Sequence, residues 1–312
     1  MDLDVFFAGT AGSVPTARRG LPALLVRRGG DRLLFDCGEG TQRQLVRSVG
    51  LAELDDVFIT HYHVDHWLGL PGMLKTFDLR GRERPLAVHG PPGLDGVMRL
   101  LRPVYGRLSY ELDLVELEPG ETVRRDGYSV AAFAVEHRVT AYGYALWEDQ
   151  RPGRFDAELA ERLGVTPGPD FGRLQAGETV GGVAPEQVLG PPRAGRKIVV
   201  SGDTAPCEAL TLAANDADLL VHESTFADEE AERAQVTSHS TASQAAAAAR
   251  EAGVRMLALT HLSTRYGGRE LREEARAVFP NTIVPHDFDA VELPFAERGE
   301  PSLVRWEEAV RT

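Results

Sequence analysis

Two cysteines stand in 312 residues, Cys37 and Cys207, far apart and neither in a C-x-x-C pair. Two lone thiols fit a reducing cytoplasm better than a disulfide scaffold. No apolar run approaches the roughly 20 residues that a membrane span needs. The first eight residues are acidic and enter a strand-like run with no basic n-region, so no signal peptide is expected. Both G-x-S-x-G and G-x-x-x-x-G-K-[ST] are missing, which removes support for a serine hydrolase of that type and for a phosphate-binding P-loop. Lysine is nearly absent: Lys75 and Lys197 are the only two, and arginine carries almost all the positive charge. Genomic base composition accounts for that bias as readily as a need for bidentate phosphate contacts. The formal net charge of −13 argues against a protein that coats nucleic acid non-specifically. A nucleic-acid substrate would therefore require local positive clusters, and metal ions at the scissile phosphate.

What is present is a soluble globular composition, 43% hydrophobic, long enough for one large α/β domain over residues 1–312. Short apolar runs end in polar or glycine-containing turns and alternate with helical spacing. Residues 33–35, 57–60, 86–89, 129–135, 197–201, 219–221 and 256–260 read as strands. Residues 41–49, 240–252 and 269–278 read as helices, the second with Ser240 or Thr241 as N-cap. This interleaving predicts a layered α/β sandwich. Residues 148–182 break the rhythm, being rich in Pro, Gly and charge, with one short helical pattern at 156–163. By composition that segment is a surface insertion or disordered connection; by function it would be an arm that holds a partner or substrate.

The decisive stretch is Thr60-His61-Tyr62-His63-Val64-Asp65-His66, directly after an apolar run. A lone histidine is usually a core residue, but three histidines and a carboxylate on one turn converge only around metal. Imidazole and carboxylate donors without thiolate suit zinc, with manganese or iron as lesser candidates. His137, Asp203 and His261 each follow another predicted strand. Strand ends that share one sheet edge form a natural crevice, so these separated residues can meet there. Seven donors suit two ions with one bridging carboxylate: His61, His63 and His137 for the first, Asp65, His66 and His261 for the second, Asp203 between them. Two zinc ions per subunit would then support hydrolysis, stabilising the attacking and leaving oxygens of a phosphoryl displacement.

The H-x-H-x-D-H motif, the later histidine, the Ser-Gly-Asp-Thr aspartate and the final Thr-His-Leu-Ser resemble the metallo-β-lactamase superfamily, which implies an αββα sandwich. Finer motifs resemble the ribonuclease Z family. These are Asp36-Cys37-Gly38-Glu39-Gly40-Thr41-Gln42, Gly69-Leu70-Pro71-Gly72, His222-Glu223-Ser224-Thr225, His239-Ser240-Thr241 and Thr264-Arg265-Tyr266. The resemblance covers nearly the whole chain. It implies a zinc-dependent endoribonuclease that trims the 3′ trailer of precursor tRNA, working as a homodimer in the cytoplasm, with no membrane partner. It further implies that Asp65 takes a proton from the attacking water, and that His239, oriented by Glu223, donates one to the leaving 3′ oxygen.

The same resemblance casts residues 148–182 as a flexible arm, the exosite for the tRNA elbow, with Gly168-Pro169 as its G-P element. Arg151, Arg154, Arg162 and Arg173 would supply positive charge, set against Asp156, Glu158 and Glu161. The first loop, Pro15-Thr16-Ala17-Arg18-Arg19-Gly20, departs from the family's P-x-K-x-R-N: the lysine and asparagine are missing and Arg19 remains as a substrate contact. His89 and His286 lie outside the motifs and read as structural. Two other readings stay open on the same residues: a phosphodiesterase or lactonase acting on small substrates, and an RNA-binding scaffold whose metals are structural.

Overall fold

The computed structural model describes residues 2–51 and 53–306; Met1 of the opening run lies outside them. Strand β1 (Leu3–Gly9) is followed by β2 (Ala23–Arg28), β3 (Asp31–Phe35), β4 (Asp56–Phe58), β5 (Leu86–Gly90) and β6 (Leu112–Glu116). A second sheet takes β7 (Thr122–Arg125), β8 (Tyr128–Ala134), β9 (Tyr142–Glu148), β10 (Lys197–Val200), β11 (Leu219–Glu223), β12 (Leu257–Thr260) and β13 (Thr282–Ile283). The chain then returns to the first sheet with β14 (Ala290–Glu292) and β15 (Ser302–Val304), giving the orders β15-β14-β1-β2-β3-β4-β5-β6 and β13-β12-β11-β10-β9-β8-β7.

Alternation along the strands explains the layering. Val5 and Phe7 of β1, Leu24 and Val26 of β2 and Leu33 and Phe35 of β3 join Ile198 and Val200 of β10 in a core between the sheets. The intervening Phe6, Ala8, Leu25 and Leu34 point the other way, onto helices Thr41–Arg47, Leu70–Leu79 and Leu94–Tyr105. Val199, Leu220 and Leu259 likewise face helices Glu208–Ala214, Ala242–Glu251 and Gly268–Val278 on the far side. A side-chain period of two with apolar residues on both faces is what a doubly covered sheet demands. The result is the αββα sandwich that the motifs implied.

Helix Ala242–Glu251 shows the logic locally. Ala242, Ala245, Ala246 and Ala249 fall at i, i+3, i+4 and i+7 and are fully buried, so a small-residue stripe brings the helix close to its sheet. Thr241 is the N-cap, with Gln244 closing a capping box.

Strands β3 to β6 run parallel, as do β10 to β13. Strand β8 is antiparallel to β9 and β9 to β10, so β8 ends on the same edge as β10. The two sheets meet along that edge, where Tyr142 N donates to Thr60 O at 2.9 Å and Ala11 pairs with Leu262.

The segment after β9 is folded. Arg151 pairs with Arg193 and Phe155 with Leu189, making a two-stranded stalk. Beyond it lie helices Ala157–Arg162, Pro169–Gln175 and Pro185–Val188 around a core of their own that includes Ala160, Val165, Leu174 and Val183. The excursion therefore continues past residue 182 to the stalk at Arg193.

Candidate metal centre and proton-transfer pair

Four donors leave the end of β4. His61 and His66 are buried, Asp65 is nearly so, and a short helix Val64–Trp67 turns Asp65 and His66 back towards His61. His137 comes from the turn after β8, Asp203 from the turn after β10 and His261 from the end of β12. The structure thus brings all seven predicted donors into one cleft. His61 Nε2 lies 3.0 Å from His63 Nδ1, His137 Nε2 lies 3.3 Å from the same His63 nitrogen, and His66 Nε2 lies 3.3 Å from His261 Nε2. Asp203 Oδ2 stands 3.3 Å from His261 Nε2, 3.4 Å from His66 Nε2 and 3.7 Å from His61 Nε2.

Those spacings fit a metal. Nitrogens about 2.0–2.1 Å from a zinc ion in tetrahedral geometry are about 3.3 Å apart. Burial pushes the His61, His63 and His137 imidazoles below the ordinary histidine range, leaving neutral rings with lone pairs free for a cation. Asp203 Oδ1 is buried without a hydrogen-bond partner among the described residues, and a buried carboxylate oxygen is rarely left so unless a cation satisfies it. Burial would raise the Asp203 carboxyl, but His261 and His66 hold it well below its usual range.

In four of the five donor histidines the remaining ring nitrogen is fixed from behind. Thr60 Oγ1 lies 3.0 Å from His61 Nδ1, Asp36 Oδ2 2.7 Å from His66 Nδ1, the Ser238 carbonyl 2.9 Å from His137 Nδ1, and Thr225 Oγ1 2.8 Å from His261 Nδ1. Such partners set the tautomer and aim the lone pair at the ion. His261 sits at φ +56°, a left-handed backbone, and Gly12 packs where a Cβ would overlap the His261 ring. Asp36, Thr60 and Thr225 in these supporting roles were not singled out from the sequence. Asking which side chains near each histidine can reach its second nitrogen would have found Thr60.

Asp65 Oδ2 accepts the Ser13 N–H at 2.8 Å and lies 3.4 Å from His261 Nε2. Burial opposes ionisation of Asp65, yet the His261 hydrogen bond and the His66 charge outweigh it and hold the carboxyl below its usual range. His239 follows a left-handed turn at Ser238 (φ +56°) and offers Nδ1 to Glu223 Oε1 at 2.7 Å. Glu223 is fixed by the Thr204 N–H (3.1 Å), the Thr225 N–H (3.0 Å) and the Thr225 hydroxyl (2.7 Å). Burial would lower the imidazole, but the Glu223 charge and hydrogen bond raise it to about 9, so His239 carries its proton at neutral pH. Asp65, His137, Asp203 and His239 line one open cavity of ≈ 550 Å³. The arrangement offers grouped donors for a divalent cation, with the Asp65 carboxylate and the His239 ring of the His239–Glu223 couple lining the same cavity.

The remaining predicted residues lie apart from this cleft. Arg19 turns inward, its Nη1 donating to Thr10 Oγ1 at 2.5 Å and to the Pro285 carbonyl at 2.9 Å, so it braces the first loop. Arg151 stands at the base of the stalk, 3.5 Å from the Phe295 ring centre, and pairs with Glu297 at 2.8 Å. Arg173 is held by Glu178 and Asp170, and Arg162 pairs with Glu158. Arg154 is exposed. Gly168, at φ +127°, leads into Pro169 at the first turn of its helix, a backbone that favours glycine. His89 is structural: it stacks on Phe58 and its Nε2 meets Asp56 at 2.7 Å. His286 is largely exposed beside Asp289 and Arg305.

Comparison with known proteins agrees with this geometry. The metallo-β-lactamase superfamily model matches residues 19–192. A ribonuclease Z of Methanosarcina acetivorans is 48% identical over 301 residues, covering 94% of this chain and 99% of its own length. One from Myxococcus xanthus is 49% identical over 307 residues, covering 95% and 99%. The crystal structure of the short form of human tRNase Z superposes with a TM-score of 0.69 at 27% identity, over 93% of this chain and 99% of that one. This chain belongs to the metallo-β-lactamase superfamily and, within it, to the ribonuclease Z family.

Proposed function

We propose that this protein is an endoribonuclease that removes the 3′ trailer from tRNA precursors, leaving a 3′-hydroxyl on the tRNA and a 5′-phosphate on the trailer. The observation that carries the reading is the pairing of a seven-donor cluster with the His239–Glu223 couple in one cleft. A ribose 3′ oxygen is a poor leaving group, and a positioned acid removes the need to expel it as an alkoxide.

His61, His63 and His137 would hold one zinc ion, Asp65, His66 and His261 the second, and Asp203 both, with manganese or iron as alternatives. Bound there, the ions would offset charge on the scissile phosphate and acidify water between them. Asp65 Oδ2, held by the Ser13 N–H, accepts the water's proton. His239 Nε2 delivers a proton to the departing 3′ oxygen, and Glu223 balances the imidazolium beforehand. In this reading the stalked unit from residue 148 onward is an arm inserted in a single domain, with Gly168, Pro169 and Arg173 on its outer part and Arg154 on the stalk as contacts for the tRNA body. Arg19 and Arg151 position the first loop and the stalk. A homodimer acting in the cytoplasm completes the proposal.

The test is cleavage of a precursor with a 3′ trailer by the zinc-loaded protein. One cut yielding a tRNA 3′-hydroxyl is expected, and Asp65→Ala or His66→Ala should abolish it. An intact precursor, under conditions where the same preparation turns over bis(p-nitrophenyl) phosphate, would overturn the RNA reading and leave a small-diester hydrolase.

A further inference from the structure

The cleft rim carries two arginines that the proposed chemistry does not use. Arg233 stands on helix Ala231–Thr237 and Arg265 on the loop after β12, and both line the metal cavity. Between them lies Glu230. Arg265 Nη1 meets both Glu230 oxygens at 3.1 Å, Arg233 Nη1 meets one at 3.4 Å, and the Tyr266 hydroxyl donates to the same carboxylate. Each guanidinium thus commits one nitrogen to Glu230, and its other two have no hydrogen-bond partner among the described residues. Both side chains are about half exposed, at 52% and 40%. In a chain of net charge −13, two forks aimed around one carboxylate at the mouth of a cleft are an anion-binding arrangement with the anion's place partly filled from within.

Its side of the cleft can be read. The Arg233 guanidinium carbon lies 6.0 Å from the centre of the Phe226 ring, and that ring centre lies 6.1 Å from the His239 ring. Arg233 therefore stands behind the group proposed to protonate the leaving oxygen, and Arg265 is tied to it through Glu230. With cleavage leaving a 3′-hydroxyl on the tRNA, the leaving oxygen belongs to the last tRNA nucleotide. The next phosphate on that side is the one 5′ to this nucleotide.

The geometry points to Arg233 and Arg265 as a clamp for the phosphate on the 5′ side of the last tRNA nucleotide, with Glu230 holding the two forks apart and aligned until RNA arrives. This inference rests on the proposed RNA reading. The clamp would fix where the strand enters, and so which bond reaches the metals, through a backbone contact that carries no base information.

The experiment uses full-length zinc-loaded protein and a short acceptor-stem precursor. Binding is measured against salt, and substrates carry a neutral methylphosphonate either at the phosphate 5′ to the last tRNA nucleotide or, on the other side of the scissile bond, at the phosphate 3′ to the first trailer nucleotide. Arg265→Ala and Arg233→Ala should each bind about 10- to 100-fold more weakly and flatten the slope of log affinity against log salt by about 0.7 per lost phosphate contact. Arg99→Ala, the same charge change on a distant helix, serves as the control. On the substrate neutralised at the 5′ phosphate, Arg265→Ala should cause no further loss, since both changes remove one interaction. Additive losses there, non-additivity with the 3′ substitution instead, or a salt slope matching the Arg99 control would overturn the assignment. Should Arg265→Ala melt early, Arg265→Lys replaces it: a restored slope with affinity still weaker is expected, and wild-type affinity would also overturn the fork. Failure of the wild-type protein to cut the substrate would strike the function itself and is seen before any variant is compared.

Discussion

Asp36 Oδ2 approaches His66 Nδ1 to 2.7 Å while the same carboxylate accepts the Thr60 N–H at 2.8 Å and the Thr60 hydroxyl at 3.0 Å. The aspartate ties the end of β3 to the metal turn after β4. Thr60 in turn contacts His61, so one carboxylate orients ligands of both proposed ions. Asp36→Asn should lower metal affinity about 10- to 100-fold. Competition with a chromogenic chelator measures this, and wild-type retention of metal would show that the contact only packs the turn.

Removing the metal should cost stability as well as activity. Asp203, His61, His66 and His261 are buried and converge, and a cation that binds the folded state alone stabilises it by mass action. Chelation is expected to lower the melting temperature and abolish turnover, with zinc restoring both. A melting curve indifferent to chelator and to added zinc would contradict a site held at the junction of the sheets.

His239→Ala separates an acid from a structural histidine. Loss of about 10²- to 10⁴-fold is expected on RNA, whose leaving oxygen needs a proton. On an aryl phosphodiester the loss should be far smaller, because a phenolate departs unaided. Glu223→Gln should follow the same pattern more weakly. Equal losses on both substrates would make His239 part of the metal site.

Glu148 gives a pH prediction remote from the cleft. It bonds Arg196 Nε at 2.7 Å, Arg196 Nη2 at 2.8 Å and Arg28 Nε at 2.9 Å, all nearly buried. Burial opposes its ionisation, but Arg196 and Arg28 hold the carboxyl below its usual range. A depressed carboxylate contributes stability above its unfolded value, about 4.3, which is lost as pH falls from there through the lower folded value. Glu148→Gln should cost about 3–5 kcal/mol at neutral pH by removing the negative charge that two nearly buried guanidinium groups share. It should also flatten the acid limb of the urea midpoint against pH; an unchanged limb would place acid sensitivity elsewhere.

The arm can be loosened from inside. Leu174 is fully buried in a cluster that also holds Val165 and Phe171. Leu174→Ala should cost the unit about 2–5 kcal/mol. Amide exchange should then speed up across the arm alone while KM for precursor tRNA rises. An unaltered KM with a demonstrably loosened arm would remove it from substrate binding.

Much of this was legible in the sequence for physical reasons. The donor cluster on one turn and the single donors after β8, β10 and β12 follow from strand-end placement, and all seven meet. Helices 41–49, 240–252 and 269–278 appear within a few residues as Thr41–Arg47, Ala242–Glu251 and Gly268–Val278. Strand β9 went unread because Gly143 and Ala145 interrupt its apolar run; only the close packing of Gly143 against Phe133 makes sense of the glycine. Helix Leu94–Tyr105, with Pro103 inside it, was hidden by its proline. The arm's composition suggested a connector, whereas six buried side chains spread over residues 160–188 give it a core too sparse to show as a period. Arg19 and Arg151 illustrate the other limit: charge is visible in a sequence, but the partner that claims it is not.

The proposed metal ligands come from both halves of the sandwich, four from the end of β4 and three from the opposing sheet, with His61 and His261 200 positions apart. Neither sheet alone can present a complete set. During synthesis the chain must be made past His261 before Asp65 and His66 gain their third partner, so capture of that second ion should be a late event that reports on the meeting of the two sheets. The second zinc would then act as a latch on a finished fold.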